Sequence, residues 1–136
     1  MRFIDSLPKT GMSDALAASD ACIAILKPVP LYRTAYPNKV FDYLAAGRPV
    51  VLAMQGVIRK LVEEAGCGIP VEPGDPAGLA AAIRSLADDQ ELCAEMGQNG
   101  RAYLERHLDR PVLAGQFEQL LQHLAGTSPA RETSEA

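Results

Sequence analysis

Two hydrophobic patterns alternate along the chain. Ala21-Cys22-Ile23-Ala24-Ile25-Leu26 and Val50-Val51-Leu52 are unbroken apolar runs, as expected of strands in a parallel sheet covered on both faces. Helical spacing lies between and after them. Phe41, Leu44 and Ala45 form a stripe at i, i+3, i+4. Pro37 suits that helix's first position, and Gly47 followed by Arg48-Pro49 stops it. Met12, Leu16 and Ser19 mark an earlier helix over residues 11–19. Val57, Leu61 and Ala65 mark a later one over 57–65, with Arg59, Lys60, Glu63 and Glu64 as its wet side.

Residues 69–72 read as another strand, followed by the turn Pro73-Gly74-Asp75-Pro76. Asp75 is a good N-cap and Pro76 a good first helical residue. The helix over 76–87 is expected to bury Leu79, Ile83 and Leu86. A helix over 88–108 is weakened in its middle by Gly97 and Gly100. After the break at Asp109-Arg110-Pro111, residues 112–124 form a last helix, expected to bury Leu113, Phe117, Leu120, Leu121 and Leu124. With a short strand at 2–5, the order is βαβαβαβααα. This predicts an α/β fold: a parallel, Rossmann-like sheet with right-handed crossovers and helices on both faces. One domain spans 1–125, and 126–136 is a polar, disordered tail. A chain that opens inside a strand is expected to be the later part of a longer fold.

Composition narrows the classes. The 136 residues are 48% hydrophobic and 22% charged, ordinary for a globular domain. A net charge of −4 and a pI near 5.1 argue against a nucleic-acid partner, which needs a basic face. No apolar run approaches the roughly 20 residues of a membrane span, and no secretory leader is visible. Cys22, Cys67 and Cys93 are odd in number and widely spaced, which fits buried cytoplasmic thiols and not a zinc site.

The chemistry concentrates between Leu31 and Leu52. Asn38 and Lys39 lie in the first turn of a helix, where unpaired N–H groups and the dipole favour an anion. Asp42 lies one turn on, about 6 Å along the axis, and could accept hydrogen bonds from sugar hydroxyls. The preceding loop leaves a strand's carboxyl end, where open α/β sheets bind ligands. Tyr32, Arg33 and Tyr36 are placed there to meet a base, ring or phosphate. The same residues also fit a capped surface helix and a solvated loop. No GxGxxG after a strand, no Walker A sequence and no GxSxG elbow occurs. His107 and His123 fall in the late helices as surface residues. No complete catalytic set and no cofactor motif is visible.

The run PLYRTAYPNKVFDYLAAGRPVVL resembles the donor-site segment of glycosyltransferase family 4, the group 1 enzymes of GT-B fold. It is most similar to the capsule and O-antigen branch, the transferases of L-aminosugars such as fucosamine. FIDSLPKTGMSDALAASDACIAILKP, GCGIPVEPGDPAGLAAAIRSLADD and GRAYLERHLDR agree with the flanking segments. The resemblance implies a partial C-terminal domain of a retaining glycosyltransferase that binds a nucleotide sugar, a UDP-sugar above all. It implies no other cofactor and a cytoplasmic place in surface polysaccharide or glycoconjugate synthesis. It assigns Asp42 to the second Glu of a Glu-seven-residues-Glu motif, which contacts the ribose. Asn38 and Lys39 match the helix start near the diphosphate, and Tyr32, Arg33 and Thr34 the loop near the donor.

The departures are specific. Asp42 is a methylene shorter than Glu, Thr34 stands where the motif's first Glu would fall, and Val57 stands where a Glu often follows the Gly corresponding to Gly56. The acceptor domain and its catalytic residues have no counterpart in the chain. The protein is therefore expected to be inactive alone. It could be completed by an acceptor-domain chain, which would also provide any peripheral membrane contact. A fragment like a UDP-sugar 2-epimerase and a non-catalytic interaction module are the alternatives.

Overall fold

The computed structural model describes residues 4–126. The polar tail from 127 onward lies outside the described residues, as do residues 1–3 of the strand expected at 2–5; Ile4 and Asp5 are in no strand. Contacts divide the chain into two compact units, one reaching to Leu104 and one starting at Glu105.

The first unit is α/β. After a 3₁₀ turn at Lys9–Gly11 come α1 (Met12–Ala17), β1 (Cys22–Ile25), a second 3₁₀ turn at Pro30–Thr34, α2 (Asn38–Ala45), β2 (Val50–Ala53), α3 (Val57–Ala65), β3 (Gly68–Pro70), α4 (Pro76–Asp88) and α5 (Gln90–His107). The end of α5, from Glu105, and helix α6 (Arg110–Gly126) belong to the second unit. The sheet is parallel with order β1-β2-β3, Ile23 opposite Val51 and Val51 opposite Ile69. Helices α2 and α3 make the two crossovers between neighbouring strands, and the right-handed rule for such units assigns both to one face. Helix α4 covers the other, where Ala82 and Leu86 pack with Val51, Val71 and Cys93. Every residue of β2 is buried, as its unbroken apolar run predicts.

Several boundaries and stripes differ from expectation. Pro37 is the N-cap of α2, extended at φ −68° and ψ 123°, so the helix starts one residue later. Its buried residues are Val40 and Leu44, while Phe41 is half-buried and stacks on Tyr36 with ring centroids 6.1 Å apart. Helix α3 buries Ile58, Leu61 and Val62, not Val57 and Ala65; its contact stripe is rotated by one residue from the expected one. In α4, Ala82 and Leu86 face inward, leaving Ile83 40% exposed. The third strand begins at Gly68, because Val50 N–H already donates to the Cys67 carbonyl at 3.1 Å.

Helix α6 buries no residue, and Leu113, Phe117, Leu120, Leu121 and Leu124 are all exposed. Their apolar spacing reads as a core face, but the described residues of the second unit supply no other packed layer to cover it.

Candidate functional site

The carboxyl ends of the three strands and the loops leaving them build the candidate site. Pro30–Thr34 makes a 3₁₀ turn with Pro30 at its start; the fixed φ of proline suits that position. Thr34 Oγ1 donates to the Leu31 carbonyl at 3.2 Å, so this hydroxyl is used within the turn. Tyr32 and Arg33, both exposed, line a small cavity of about 10 Å³ with Lys27, Met54, Gln55 and Pro73. These residues follow β1, β2 and β3 in turn.

The turn is seated on Gly56. That glycine has φ +93° and ψ −150°, a region essentially closed to other residues. A β-carbon there would lie 2.0 Å from the Arg33 carbonyl oxygen. Backbone therefore packs directly on backbone between the loop after β1 and the turn after β2.

Asn38 and Lys39 occupy the first turn of α2, as the sequence predicts. Asn38 is exposed, and Lys39 Nζ donates to the carbonyl of Ile25 at 3.5 Å, at the end of β1. Asp42 lies elsewhere. It lines an open cleft of about 770 Å³ with Lys9, Ser13, Leu16 and Arg48. Arg48 ties this cleft together by donating through Nη2 to the Ala17 carbonyl at 2.7 Å, while its Nε is buried without a partner. The six predicted residues thus fall into three groups. Tyr32 and Arg33 share one cavity, with Thr34 in the same 3₁₀ turn; Asp42 is in the cleft between α1 and α2; and the start of α2 carries Asn38 and Lys39.

Sequence reasoning missed a chain of polar side chains beside Arg33. Arg33 Nη2 donates to Gln55 Oε1 at 3.3 Å, and Gln55 Nε2 donates to Glu72 Oε2 at 3.1 Å. Arg59 donates to the other Glu72 oxygen at 2.5 Å and to Glu63 at 2.9 Å. These bonds, from Arg59 first and Gln55 second, hold the Glu72 carboxyl below its ordinary range. The signal was positional: Gln55 stands two residues past the end of β2 and Glu72 two past β3, where ligands meet such sheets. Among the described residues no cluster of His, Cys, Asp and Glu could hold a metal. No helix among them is long and apolar enough to cross a membrane.

The family model described as "Glycosyl transferases group 1" matches residues 1–89, more than half of the chain. A D-inositol 3-phosphate glycosyltransferase of Corynebacterium kroppenstedtii is 28% identical over 106 residues, which are 78% of this chain and 22% of that protein. The glycogen synthase of Mycobacterium tuberculosis is 28% identical over 113 residues, 83% of this chain and 26% of that protein. The probable glycosyltransferase WbjE of Pseudomonas aeruginosa is 24% identical over 134 residues, 94% of this chain and 32% of that protein. The chain thus spans between about a fifth and a third of the length of these relatives. Among solved structures, Anabaena HepE in complex with UDP superposes with a TM-score of 0.69 at 24% identity, over 80% of this chain and 29% of that one. This likeness supports the parallel α/β fold described above.

Proposed function

The chain belongs to the group 1 glycosyltransferases, and we propose that residues 1–125 are the nucleotide-sugar-binding part of a retaining GT-B transferase. The observation that carries this reading is the start of α2. It brings Asn38 and Lys39, with unpaired backbone N–H groups, to the end of β1, where Lys39 Nζ reaches the Ile25 carbonyl. There the helix dipole and the Lys39 ammonium hold a diphosphate and stabilise it as a leaving group. Asp42, one turn on, accepts hydrogen bonds from the ribose. Tyr32, Arg33 and Thr34 border the donor from the preceding turn. The UDP in the Anabaena relative favours UDP-sugars as donors, and the resemblance of the PLYRTAYPNKVFDYLAAGRPVVL run to the capsule and O-antigen branch supports a role in surface polysaccharide or glycoconjugate synthesis. Three free, buried thiols suit a reducing cytoplasm.

The test is a titration of UDP and of GDP followed at the Lys39 and Asp42 amides by NMR. Saturable shifts at both with UDP, and weaker ones with GDP, are expected. Unchanged signals at millimolar UDP overturn the reading. Because the chain carries no catalytic set, it is expected to show no transferase turnover alone; turnover by the purified chain would contradict this.

A second reading, a half-transferase completed by an acceptor-domain chain, is favoured by β1. Among the described residues it is an edge strand, and Ile23 and Ile25 on one of its faces are 43% and 48% exposed. Strands of parallel sheets are ordinarily covered on both faces. Ile4 is exposed as well. Protection of the Ile23 and Ile25 amides from hydrogen exchange by an added acceptor domain would support this reading, and unchanged exchange would oppose it.

A further inference from the structure

Arg33 is exposed on a turn, yet the structure restrains it at both its backbone and its side chain. Its carbonyl rests on Gly56, where no side chain fits. Its Nη2 bonds to Gln55 Oε1 at 3.3 Å. Gln55 in turn stands between a group that only donates and one that only accepts. The Arg33 guanidinium has no acceptor, and the Glu72 carboxylate has no donor. The amide can satisfy both in one orientation alone: Nε2 towards Glu72, at 3.1 Å, and Oε1 towards Arg33. Glu72 is itself anchored through its second oxygen by Arg59, which also pairs with Glu63. The chain of contacts therefore runs from α3 and the loop after β3, across the turn after β2, to the loop after β1.

We propose that Gln55 and Glu72 are positioning residues that hold the Arg33 guanidinium over the strand ends, aimed at the diphosphate of a nucleotide sugar. The clause about the diphosphate rests on the donor-binding reading given above; the positioning itself does not. Gln55 passes on the orientation set by Glu72 while adding no charge of its own beside Arg33. A carboxylate in direct contact with Arg33 would instead compete with the phosphate for the same donors. A free arginine on a loop surrenders its rotamer freedom when it binds an anion. An arginine already restrained surrenders less, which is how residues that never touch the ligand raise its affinity.

The test compares the natural chain with Gln55→Ala, Glu72→Ala and the double variant by two readouts. The first is the Arg33 Nε–H signal in the nucleotide-free protein. It is expected to shift and to exchange faster with water in both single variants. The second is affinity for UDP and for uridine. Each single variant is expected to lose roughly threefold to tenfold in UDP affinity, the scale of one hydrogen bond, and none in uridine affinity. The double variant is expected to lose no more than Gln55→Ala alone, because Glu72 acts through Gln55.

An Arg33 signal indifferent to Gln55→Ala, equal losses for uridine and UDP, or additive losses in the double variant would overturn the proposal. If the natural chain binds no UDP, the donor reading and the diphosphate clause fail together. The Arg33 signal still decides whether Gln55 and Glu72 position that side chain.

Discussion

Gly97 of α5 lies against the carbonyl of Gly47 in the turn between α2 and β2, so close that a β-carbon would sit 2.2 Å from that oxygen. One helical turn on, a β-carbon on Gly100 would meet Leu44 Cδ2 at 2.7 Å and Cys67 Cβ at 3.0 Å. The two glycines form the face by which α5 seats on the rest of its unit.

This contact makes helix propensity the wrong guide to stability in α5. Alanine favours a helix over glycine by about 1 kcal/mol, but at position 97 it must displace backbone, and overpacking costs about 1–3 kcal/mol. Gly97→Ala is therefore expected to lower the urea midpoint. Gly115→Ala, with nothing within 4 Å of its new methyl, is expected to raise the stability of α6. Equal effects of the two substitutions would contradict the packing role of Gly97.

Burial pushes the Cys67 thiol up from 9.0 to about 11. Between those values the unfolded chain loses the proton and the folded chain keeps it, so stability falls as pH rises. The loss attributable to this residue is at most about 2–3 kcal/mol. Urea midpoints measured at pH 8, 9 and 10.5 are expected to decline more steeply above 9 in the natural protein than in Cys67→Ala. Parallel profiles would remove Cys67 as the cause. Burial raises Cys22 and Cys93 as well, so all three thiols are expected to resist a thiol reagent at pH 7 until the protein unfolds.

The Glu72 carboxyl lies below its ordinary value of 4.5 because Arg59 and Gln55 bond to its charged form. A depressed folded value contributes stability above the unfolded value, and that contribution disappears as pH falls through the folded one. The Arg59 pairing and the Gln55 bond are thus expected to persist at pH 5 and to be lost in acid below 4.5. NMR of the Gln55 side-chain amide across pH 6 to 2.5 checks this; a transition at or above 4.5 would be the wrong sign.

The proposed donor reading assigns Asp42, which lines the cleft between α1 and α2, to the ribose of a bound nucleotide. Asp42→Asn is expected to weaken UDP binding roughly tenfold, the worth of a hydrogen bond to a charged group, while leaving 2′,3′-dideoxy-UDP binding unchanged. Asp42→Glu adds the methylene found in the family's motif and is expected to tighten UDP binding. Equal losses for UDP and its dideoxy analogue would assign Asp42 to the cleft's structure instead.

The sequence by itself determined the class of the fold and, from the first helix onward, the order of helices and strands; the strand expected at 2–5 does not include Ile4 and Asp5. Unbroken apolar runs located β1 and β2, proline and glycine punctuation bounded α2 and α3, and the alternation of strand and helix required a parallel sheet. These signals are local, carried by each segment's own backbone preferences and apolar spacing. Only the tertiary structure decided which turn of each helix faces inward, as in the exchange of Phe41 for Val40 and of Ile83 for Ala82. It also turned Gly97 and Gly100 from helix-weakening residues into a packing face.

The candidate site divides in the same way. That Asn38 and Lys39 begin a helix was legible. That Asp42 opens into a cleft apart from Tyr32 and Arg33, and that Gln55 and Glu72 reach Arg33, was not. Those relations join residues 17 to 22 positions apart through three different strand-exit loops. Their meeting depends on strand order and register, which no one segment's pattern contains.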